Sequence, residues 1–134
     1  MAGWHSELYV DSTDLPELEE RLAALPRVSI DHLGMSAEGY LALLRLVEGG
    51  AKVKATGFGR VEGDLDVARA LREISSVNPG ALMFGTDLPG TRAPRPFEEA
   101  DVELIVDTLD ERLARRVLHD NAAELYMSER SRCT

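Results

Sequence analysis

The sequence predicts an α/β fold with a parallel sheet, built from four consecutive strand–helix units. Strand-like segments begin about one βα unit apart, at Trp4, Val28, Lys52 and Ala81. Segments with helical periodicity lie between them, an alternation typical of parallel sheets with right-handed crossovers. The 134 residues are the size of one domain. We therefore expect one α/β domain at 1–126 and a polar C-terminal tail at 127–134.

The first unit is a short strand followed by an amphipathic helix. Trp4 to Val10 mixes aromatic and β-branched residues with polar ones, as strands do. Candidate N-caps of the helix are Ser12, Thr13 and Asp14. Its leucines recur at spacings of three and four, at Leu15, Leu18, Leu22 and Leu25. Pro26 is expected to end the helix.

The second and third units repeat this pattern. Their strands are predicted at 28–34 and 52–58. We expect Ser36 to cap the second helix and Asp64 to cap the third. The inward residues of these helices are predicted to be Tyr40, Leu41, Leu44, Val47, Val67, Leu71 and Ile74.

The fourth unit contains the most distinctive strand. The turn Asn78-Pro79-Gly80 precedes a continuous apolar run from Ala81, which is typical of a buried parallel strand. After a loop at 90–96, a helix is predicted over 97–109, with further helical segments from 110 and 121. Its inward residues are predicted to be Val102, Ile105, Val106 and Leu109. The pattern alone fits either an open sheet or a piece of a closed barrel.

Charge and cysteine content narrow the function classes. Lys+Arg 15 against Asp+Glu 24 gives a net charge of −9, which argues against nucleic acid or an anionic membrane as partner. One cysteine, Cys133, cannot form a disulfide within the chain and fits a reducing compartment. No apolar run approaches the ~20 residues of a membrane span, and the first residues do not form a signal peptide. We expect a cytoplasmic protein.

Polar side chains cluster where the predicted strands lie or end. Asp87 follows the fourth strand, and parallel α/β folds place their chemistry at such ends. The other members are His5, Glu7, Asp31, His32, Lys54, Arg60, Arg92 and Arg95. Histidines and carboxylates from separate strand ends are typical of a divalent-metal or acid–base site.

Each of these residues also has a structural explanation. Asp87 could simply cap the loop after its strand, and His5 could be a half-buried strand residue. Lys54 could be a solvated strand residue, while Arg92 and Arg95 could tie down the loop. Strand alternation further predicts that at most one of the neighbours Asp31 and His32 faces the site directly. His119, in a helix, is expected at the surface.

Four segments in order then carry a resemblance. They are SIDHLG at 29–34, VKATG at 53–57, MFGTDLP at 83–89 and NAAELY at 121–126. The sequence resembles the amidohydrolase-related family of TIM-barrel, metal-dependent hydrolases, in its dicarboxylate-lactonase-like branch. The segments are similar to that family's sixth, seventh and eighth strands and its closing helix, and Trp4 to Leu8 resembles the fifth strand. The resemblance thus implies the C-terminal half, strands five to eight, of a (βα)₈ barrel, with 1–126 as a half-barrel domain.

The resemblance also implies catalytic and metal-binding roles. Asp87 matches the family's eighth-strand Asp, which ligates a metal or acts as general base towards water. His32 matches the sixth-strand His that lines the active site. His5, or less favourably Glu7, occupies the fifth-strand position. These matches make Asp87 and His32 the candidate catalytic residues, and Asp87 and His5 the candidate ligands of an optional Zn²⁺ or Mn²⁺.

Substrate binding is assigned on the same basis. Arg60 lies where lactonase-like members hold a substrate carboxylate, which a guanidinium binds bidentately. Lys54 and Arg92 are further candidates for binding a small, carboxylate-bearing substrate. The implied activity is hydrolysis of an ester, lactone or amide bond, with Asp87 activating water. Decarboxylation, another reaction of the family, stays open.

The chain departs from the family in one respect. The His-x-His pair of the family's first strand is absent from its three histidines. A half-barrel should expose two sheet edges and an apolar inner face. This predicts pairing of two copies, completion by a separate N-terminal half-barrel, or a fragment of a longer protein. The alternative function is that of a truncated, inactive relative serving as an interaction or assembly module.

Overall fold

A four-stranded parallel sheet forms the centre of the computed structural model, which describes residues 4–128. The strands are β1 (Ser6–Leu8), β2 (Val28–Ile30), β3 (Lys52–Ala55) and β4 (Leu82–Phe84). Their order in the sheet is β1-β2-β3-β4, and every neighbouring pair is parallel. The predicted α/β class with four parallel strands is therefore confirmed.

Helices follow each strand. They are α1 (Leu15–Ala23), α2 (Tyr40–Glu48), α3 (Val67–Val77), α4 (Glu99–Thr108), α5 (Glu111–Arg115) and α6 (Asn121–Ser128). A π-helical segment, Arg116–Asp120, joins α5 to α6. None of the helices within residues 4–128 is long and apolar enough to cross a membrane.

The strands are shorter than the sequence predicts because the chain turns immediately after them. Short 3-10 turns at Ser12–Asp14, His32–Gly34 and Phe58–Arg60 lie between β1, β2 and β3 and their helices. The predicted strands at 28–34 and 52–58 thus end at Ile30 and Ala55. These turns carry the residues that the sequence assigns to the site.

The main core lies between the sheet and the helices. Ile30 of β2 and Val53 of β3 are fully buried, and so are Leu43 of α2, Leu71 of α3 and Ile105 of α4. Burying each such side chain contributes about 1.5–3 kcal/mol to folding. Two residues predicted to face inward are instead exposed, Leu41 at 69% and Val106 at 52%. Both are on helices whose buried stripe is narrower than their apolar sequence suggests.

The predicted caps of α2 and α3 are wrong. Ser36 does not cap α2, because its hydroxyl donates to Asp11 Oδ1 at 2.6 Å and α2 begins later, after Gly39 at φ 77°. Asp66, not Asp64, caps α3. For α1, Asp14 occupies the N-cap position without a side-chain hydrogen bond.

Ser12 is diverted from capping into a tertiary contact. Its fully buried hydroxyl oxygen lies 2.6 Å from the Ser36 carbonyl oxygen and 2.7 Å from the Glu38 carbonyl oxygen, and its single proton is shared between these two acceptors. This contact joins the turn after β1 to the turn after β2. Competing tertiary hydrogen bonds explain why the sequence pattern placed these caps incorrectly.

The second face of the sheet carries charged side chains beside the buried Ser29 and Met83, which corrects the expectation of an apolar inner face; we call it the charged face. Pairing places Glu7 beside Ser29, and Lys54 beside Met83. Lys54 Nζ donates to Glu7 Oε2 at 2.8 Å. From α6, the Tyr126 hydroxyl donates to Glu7 Oε1 at 2.5 Å, so α6 lies across this face. The charged residues pair with one another there, and the face is partly covered.

Most of the predicted C-terminal tail, residues 127–134, lies outside the residues that the structure describes. Met127 and Ser128 continue α6. Residues 129–134, which include Cys133, lie outside the described residues. The domain limits of 1–126 and 127–134 therefore stay predictions.

Candidate functional site

Seven residues line an open pocket at the carboxyl ends of the strands, which we call the strand-end pocket. Its volume is about 380 Å³. The lining residues are Tyr9, Asp31, His32, Lys54, Thr56, Arg60 and Asp87. The structure thus brings together Asp87, His32, Arg60 and Lys54, four of the predicted site residues.

Asp87 lies between a cation and a histidine. Arg60 Nε donates to Asp87 Oδ2 at 2.5 Å, and Arg60 Nη2 donates to the Thr91 carbonyl at 2.9 Å. The other carboxylate oxygen, Oδ1, is 4.0 Å from His32 Nε2. That separation is too long for a direct hydrogen bond, but one water or substrate oxygen between the two atoms can contact both. Asp87 also raises the pKa of Arg60 through this hydrogen bond.

The backbone is strained at both of these residues. His32 has φ 53° and Asp87 has φ 57°, in the left-handed region that residues other than glycine seldom adopt. Each such residue costs on the order of 1–2 kcal/mol. Strain of this kind clusters at functional sites, where the surrounding structure holds a side chain in a required orientation. It supports a site role for Asp87 beyond capping its loop.

His32 is buried and held on several sides. Its Nδ1 is 2.8 Å from the hydroxyl oxygen of Thr56, and both residues are less than one-tenth exposed. The Tyr9 ring meets the imidazole edge-on at a centroid distance of 5.5 Å. Gly57 permits the close approach of the ring, because a Cβ there would lie 2.6 Å from His32 Nδ1. His32 is therefore fixed in orientation towards Asp87.

Lys54 connects the pocket to the charged face of the sheet. Its Nζ lies 2.8 Å from Glu7 Oε2 and 3.3 Å from Asp31 Oδ1. Burial lowers the pKa of Lys54, but the hydrogen bond to Glu7 and the two carboxylate charges outweigh burial and raise it. Lys54 is thus a fixed positive charge in the pocket rather than a solvated strand residue.

Asp31 and His32 both line the pocket, so the prediction that at most one of them faces it is wrong. Alternation applies to extended strands, and β2 ends at Ile30. His32 then adopts a left-handed conformation and begins a 3-10 turn. The turn brings its side chain to the same side as that of Asp31.

The other predicted site residues lie apart from Asp87. His5 precedes β1, at the opposite end of the sheet, where its Nε2 is 3.0 Å from Glu7 Oε1. Arg92 is exposed in the loop after β4 and does not line the pocket. Arg95 ties that loop to α4 through Asp101, with Nη2 2.8 Å from Oδ1. His119 is exposed, as expected.

Two lining residues were missed by the sequence interpretation, Tyr9 and Thr56. Both could have been found by counting in steps of two, since side chains two apart on a strand share a face. Tyr9 follows Glu7 in this way, and Thr56 follows Lys54. The signal was present, but neither residue type is typical of a metal or acid–base site.

The described residues do not complete a metal site. His32 and Asp87 are two ligand-type side chains close together, but Asp87 Oδ2 is bound to Arg60. Across residues 4–128, no group of three or more His, Cys, Asp or Glu side chains is arranged to hold a metal ion. The predicted pairing of Asp87 with His5 does not form there. A Zn²⁺ or Mn²⁺ ion would need ligands from elsewhere.

Glu7 gives a prediction for acid stability. Hydrogen bonds from Lys54, Tyr126 and His5 lower its pKa from 4.5 to about 2. The ionised carboxylate therefore stabilises the fold above pH 4.5, and this contribution disappears as the pH falls towards 2. Because the side chain is 41% exposed, solvent screening reduces the effect. Glu7→Gln should cost about 1 kcal/mol in the free energy of unfolding at neutral pH.

Urea unfolding at neutral pH and near pH 2 would measure this loss. The difference in the free energy of unfolding between wild type and Glu7→Gln should largely disappear near pH 2. The matched control is Glu103→Gln, at an exposed position of α4. An equal difference at both pH values would contradict the assignment.

A family model, a relative in sequence and a solved structure all match most of this chain. A family model described as Amidohydrolase matches residues 1–127. The chain is 27% identical to the "2-pyrone-4,6-dicarbaxylate hydrolase" of Comamonas testosteroni, covering 95% of this chain and 50% of that protein. The apo crystal structure of ATU3138 from Agrobacterium tumefaciens matches with a TM-score of 0.77 and 26% identity, covering 94% of this chain and 51% of the other. The chain thus spans about half the length of each relative.

Proposed function

This chain belongs to the amidohydrolase family, and we propose that its strand-end pocket hydrolyses an ester, lactone or amide bond of a small, carboxylate-bearing substrate. One observation carries the proposal. The Asp87 carboxylate is held by Arg60 on one oxygen and faces the buried His32 ring with the other, 4.0 Å away. A single oxygen atom between these groups would meet both a proton acceptor and a ring nitrogen.

The proposed reaction needs only groups present in the pocket. Asp87 accepts a proton from water as the water oxygen bonds to the substrate carbonyl carbon. The carbonyl oxygen becomes an oxyanion, which the nearby cations stabilise. When the oxyanion collapses, the bond to the leaving oxygen or nitrogen breaks, and that atom takes the proton back. Because the described residues supply too few ligands, no step is assigned to a metal.

The charges of the pocket support a carboxylate-bearing substrate. Arg60 and Lys54 place two positive charges, beside the carboxylates of Asp31 and Asp87, in an opening of about 380 Å³. Both are partnered, Arg60 by Asp87 and Lys54 by Glu7 and Asp31, which fixes their positions. The name of the Comamonas testosteroni relative supports the same substrate class.

The single cysteine in the sequence supports placing the activity in the reducing cytoplasm.

Further polypeptide is expected at the edges of the sheet. Within residues 4–128, β1 and β4 each pair with one strand and leave an edge open. Open edges promote association. The proposed occupant is a second copy of this chain or a separate N-terminal half-barrel. The mass in solution tests this: a stable monomer would count against the second copy.

A substrate panel tests the proposed activity. Each lactone, ester or amide is tested as a matched pair of compounds, one with and one without a carboxylate. The release of acid is followed by titration. The metal content of the same protein sample is measured. Hydrolysis of the carboxylated members is the expected result. If no member is hydrolysed at any metal content, the hydrolase proposal fails and an assembly role becomes the better explanation.

Arg60→Lys should separate charge from geometry in this pocket. Lysine keeps the positive charge but cannot hold Asp87 Oδ2 and the Thr91 carbonyl together, as the Arg60 guanidinium does. We expect kcat/KM for carboxylated substrates to fall by about tenfold or more, since a misplaced catalytic group is costly. Steady-state kinetics measure the change, with Arg112→Lys on the exposed side of α5 as control. Unchanged kinetics would remove Arg60 from the site.

A further inference from the structure

We infer that Thr56 is a positioning residue that keeps the neutral His32 ring protonated on Nε2. The inference deepens the proposed function and rests on it only for the chemical consequence. In that tautomer His32 donates a hydrogen bond from Nε2 into the gap beside Asp87. The two residues then have separate roles, with Asp87 as the proton acceptor and His32 as a hydrogen-bond donor.

The first support is the hydrogen-bond requirement of a buried hydroxyl. Thr56 Oγ1 lies 2.8 Å from His32 Nδ1, and Thr56 is 8% exposed. Among the hydrogen bonds described for residues 4–128, this is the one that the Thr56 hydroxyl makes. A hydroxyl carries one proton, and a buried donor without an acceptor is unfavourable. The Thr56 proton therefore goes to Nδ1, which must be the unprotonated ring nitrogen.

The second support comes from the other side of the ring. His32 Nε2 faces Asp87 Oδ1 at 4.0 Å. An N–H dipole directed at a carboxylate is favourable, whereas a nitrogen lone pair directed at it is repelled. Both neighbours of the ring thus select the same tautomer. The Tyr9 ring and the backbone at Gly57 lie close against the imidazole.

The consequence concerns which groups act on a substrate. With Nε2 protonated, the neutral His32 ring cannot accept the proton of the attacking water. Its N–H can instead stabilise the oxygen that gains negative charge, as donors of an oxyanion hole do. Thr56 contributes to this scheme through its contact with the His32 ring.

Nitrogen NMR of the 134-residue chain tests the tautomer directly. The ¹⁵N-labelled protein is studied at about pH 8, above the ordinary titration range of histidine. Its three histidines give separate ring signals, and His32→Gln identifies those of His32. The expected wild-type spectrum shows the proton on Nε2. A His32 ring protonated on Nδ1 would overturn the inference without any measurement of activity.

Three substitutions complete the test. Thr56→Val keeps the side-chain shape but removes the hydroxyl, and should shift the ratio of the two tautomers at least roughly fivefold towards Nδ1–H. Thr56→Ser should restore the wild-type ratio. Thr108→Val, the same change at the end of α4, should leave it unchanged. A wild-type ratio in folded Thr56→Val would also overturn the inference.

Activity provides a separate readout. If the panel substrates are hydrolysed, Thr56→Val should lower kcat with little change in KM, because a positioning residue contributes in the transition state. Failure of the whole panel would end the hydrolase proposal and leave the tautomer result standing. An active enzyme whose His32 ring is protonated on Nδ1 would overturn the tautomer inference and leave the hydrolase proposal standing. The two failures are therefore distinguishable.

Discussion

Replacing Asp87 by asparagine is expected to lower kcat/KM of the proposed hydrolysis about 10³-fold, the scale of a lost general base. Asparagine can still accept the hydrogen bond from Arg60, so the pocket should keep its shape. Its amide cannot take a proton from water, however. The loss should therefore fall mainly on kcat rather than on KM, as expected for a group that acts in the transition state.

Steady-state kinetics on the best panel substrate measure this effect. Asp107→Asn is a matched control, because Asp107 is an exposed aspartate of α4 away from the pocket. Thermal unfolding of both variants shows whether the fold is intact. Wild-type kcat in a folded Asp87→Asn protein would exclude Asp87 as the base.

Gly39→Ala is expected to have the largest effect on stability, roughly 3 kcal/mol or more in the free energy of unfolding. Gly39 precedes α2 with φ 77°, where alanine is strained. A Cβ at this position would also overlap the backbone carbonyl group of Ser12. The Ser12 backbone cannot easily move away from the added Cβ, because the Ser12 side chain is fully buried and hydrogen-bonded to Ser36 and Glu38.

Gly63→Ala provides the control for this change. A Cβ at Gly63 meets no atom within 4 Å, and its φ is not positive. It should therefore change stability by no more than about 0.5 kcal/mol. Urea denaturation midpoints compare the two variants with wild type. Equal midpoints for Gly39→Ala and Gly63→Ala would show that the turns after β1 and β2 are not tightly joined.

Much of the fold could be predicted because its signals are local. Apolar periodicity and the turn residues Asn78-Pro79-Gly80 were sufficient to predict the order of strands and helices. Asp87, at the end of a continuous apolar run, could be recognised as a site candidate for the same reason. Local patterns such as these do not depend on what packs against them.

The remaining features depend on contacts between distant residues. Ser36 carries a capping signal, but the buried Ser12 and Asp11 take its hydrogen bonds. His32 shares the pocket with Asp31 because the backbone turns left-handed, which the SIDHLG sequence does not indicate. Likewise, Tyr126 reaches Glu7 only because α6 crosses the sheet. Periodicity along a single segment contains no information about such contacts.

The crossing of α6 also has a kinetic consequence. The Tyr126–Glu7 hydrogen bond joins residues 119 positions apart, and Tyr126 also packs edge-on against the His5 ring at 5.4 Å. Bringing together residues so far apart in sequence carries an entropic cost that must be met before the contact forms, so such contacts tend to form late in folding. We expect α6 to dock late and to detach first, exchanging its amide hydrogens faster than the central strands. Detachment would uncover the charged face of the sheet while β2 and β3 stay paired.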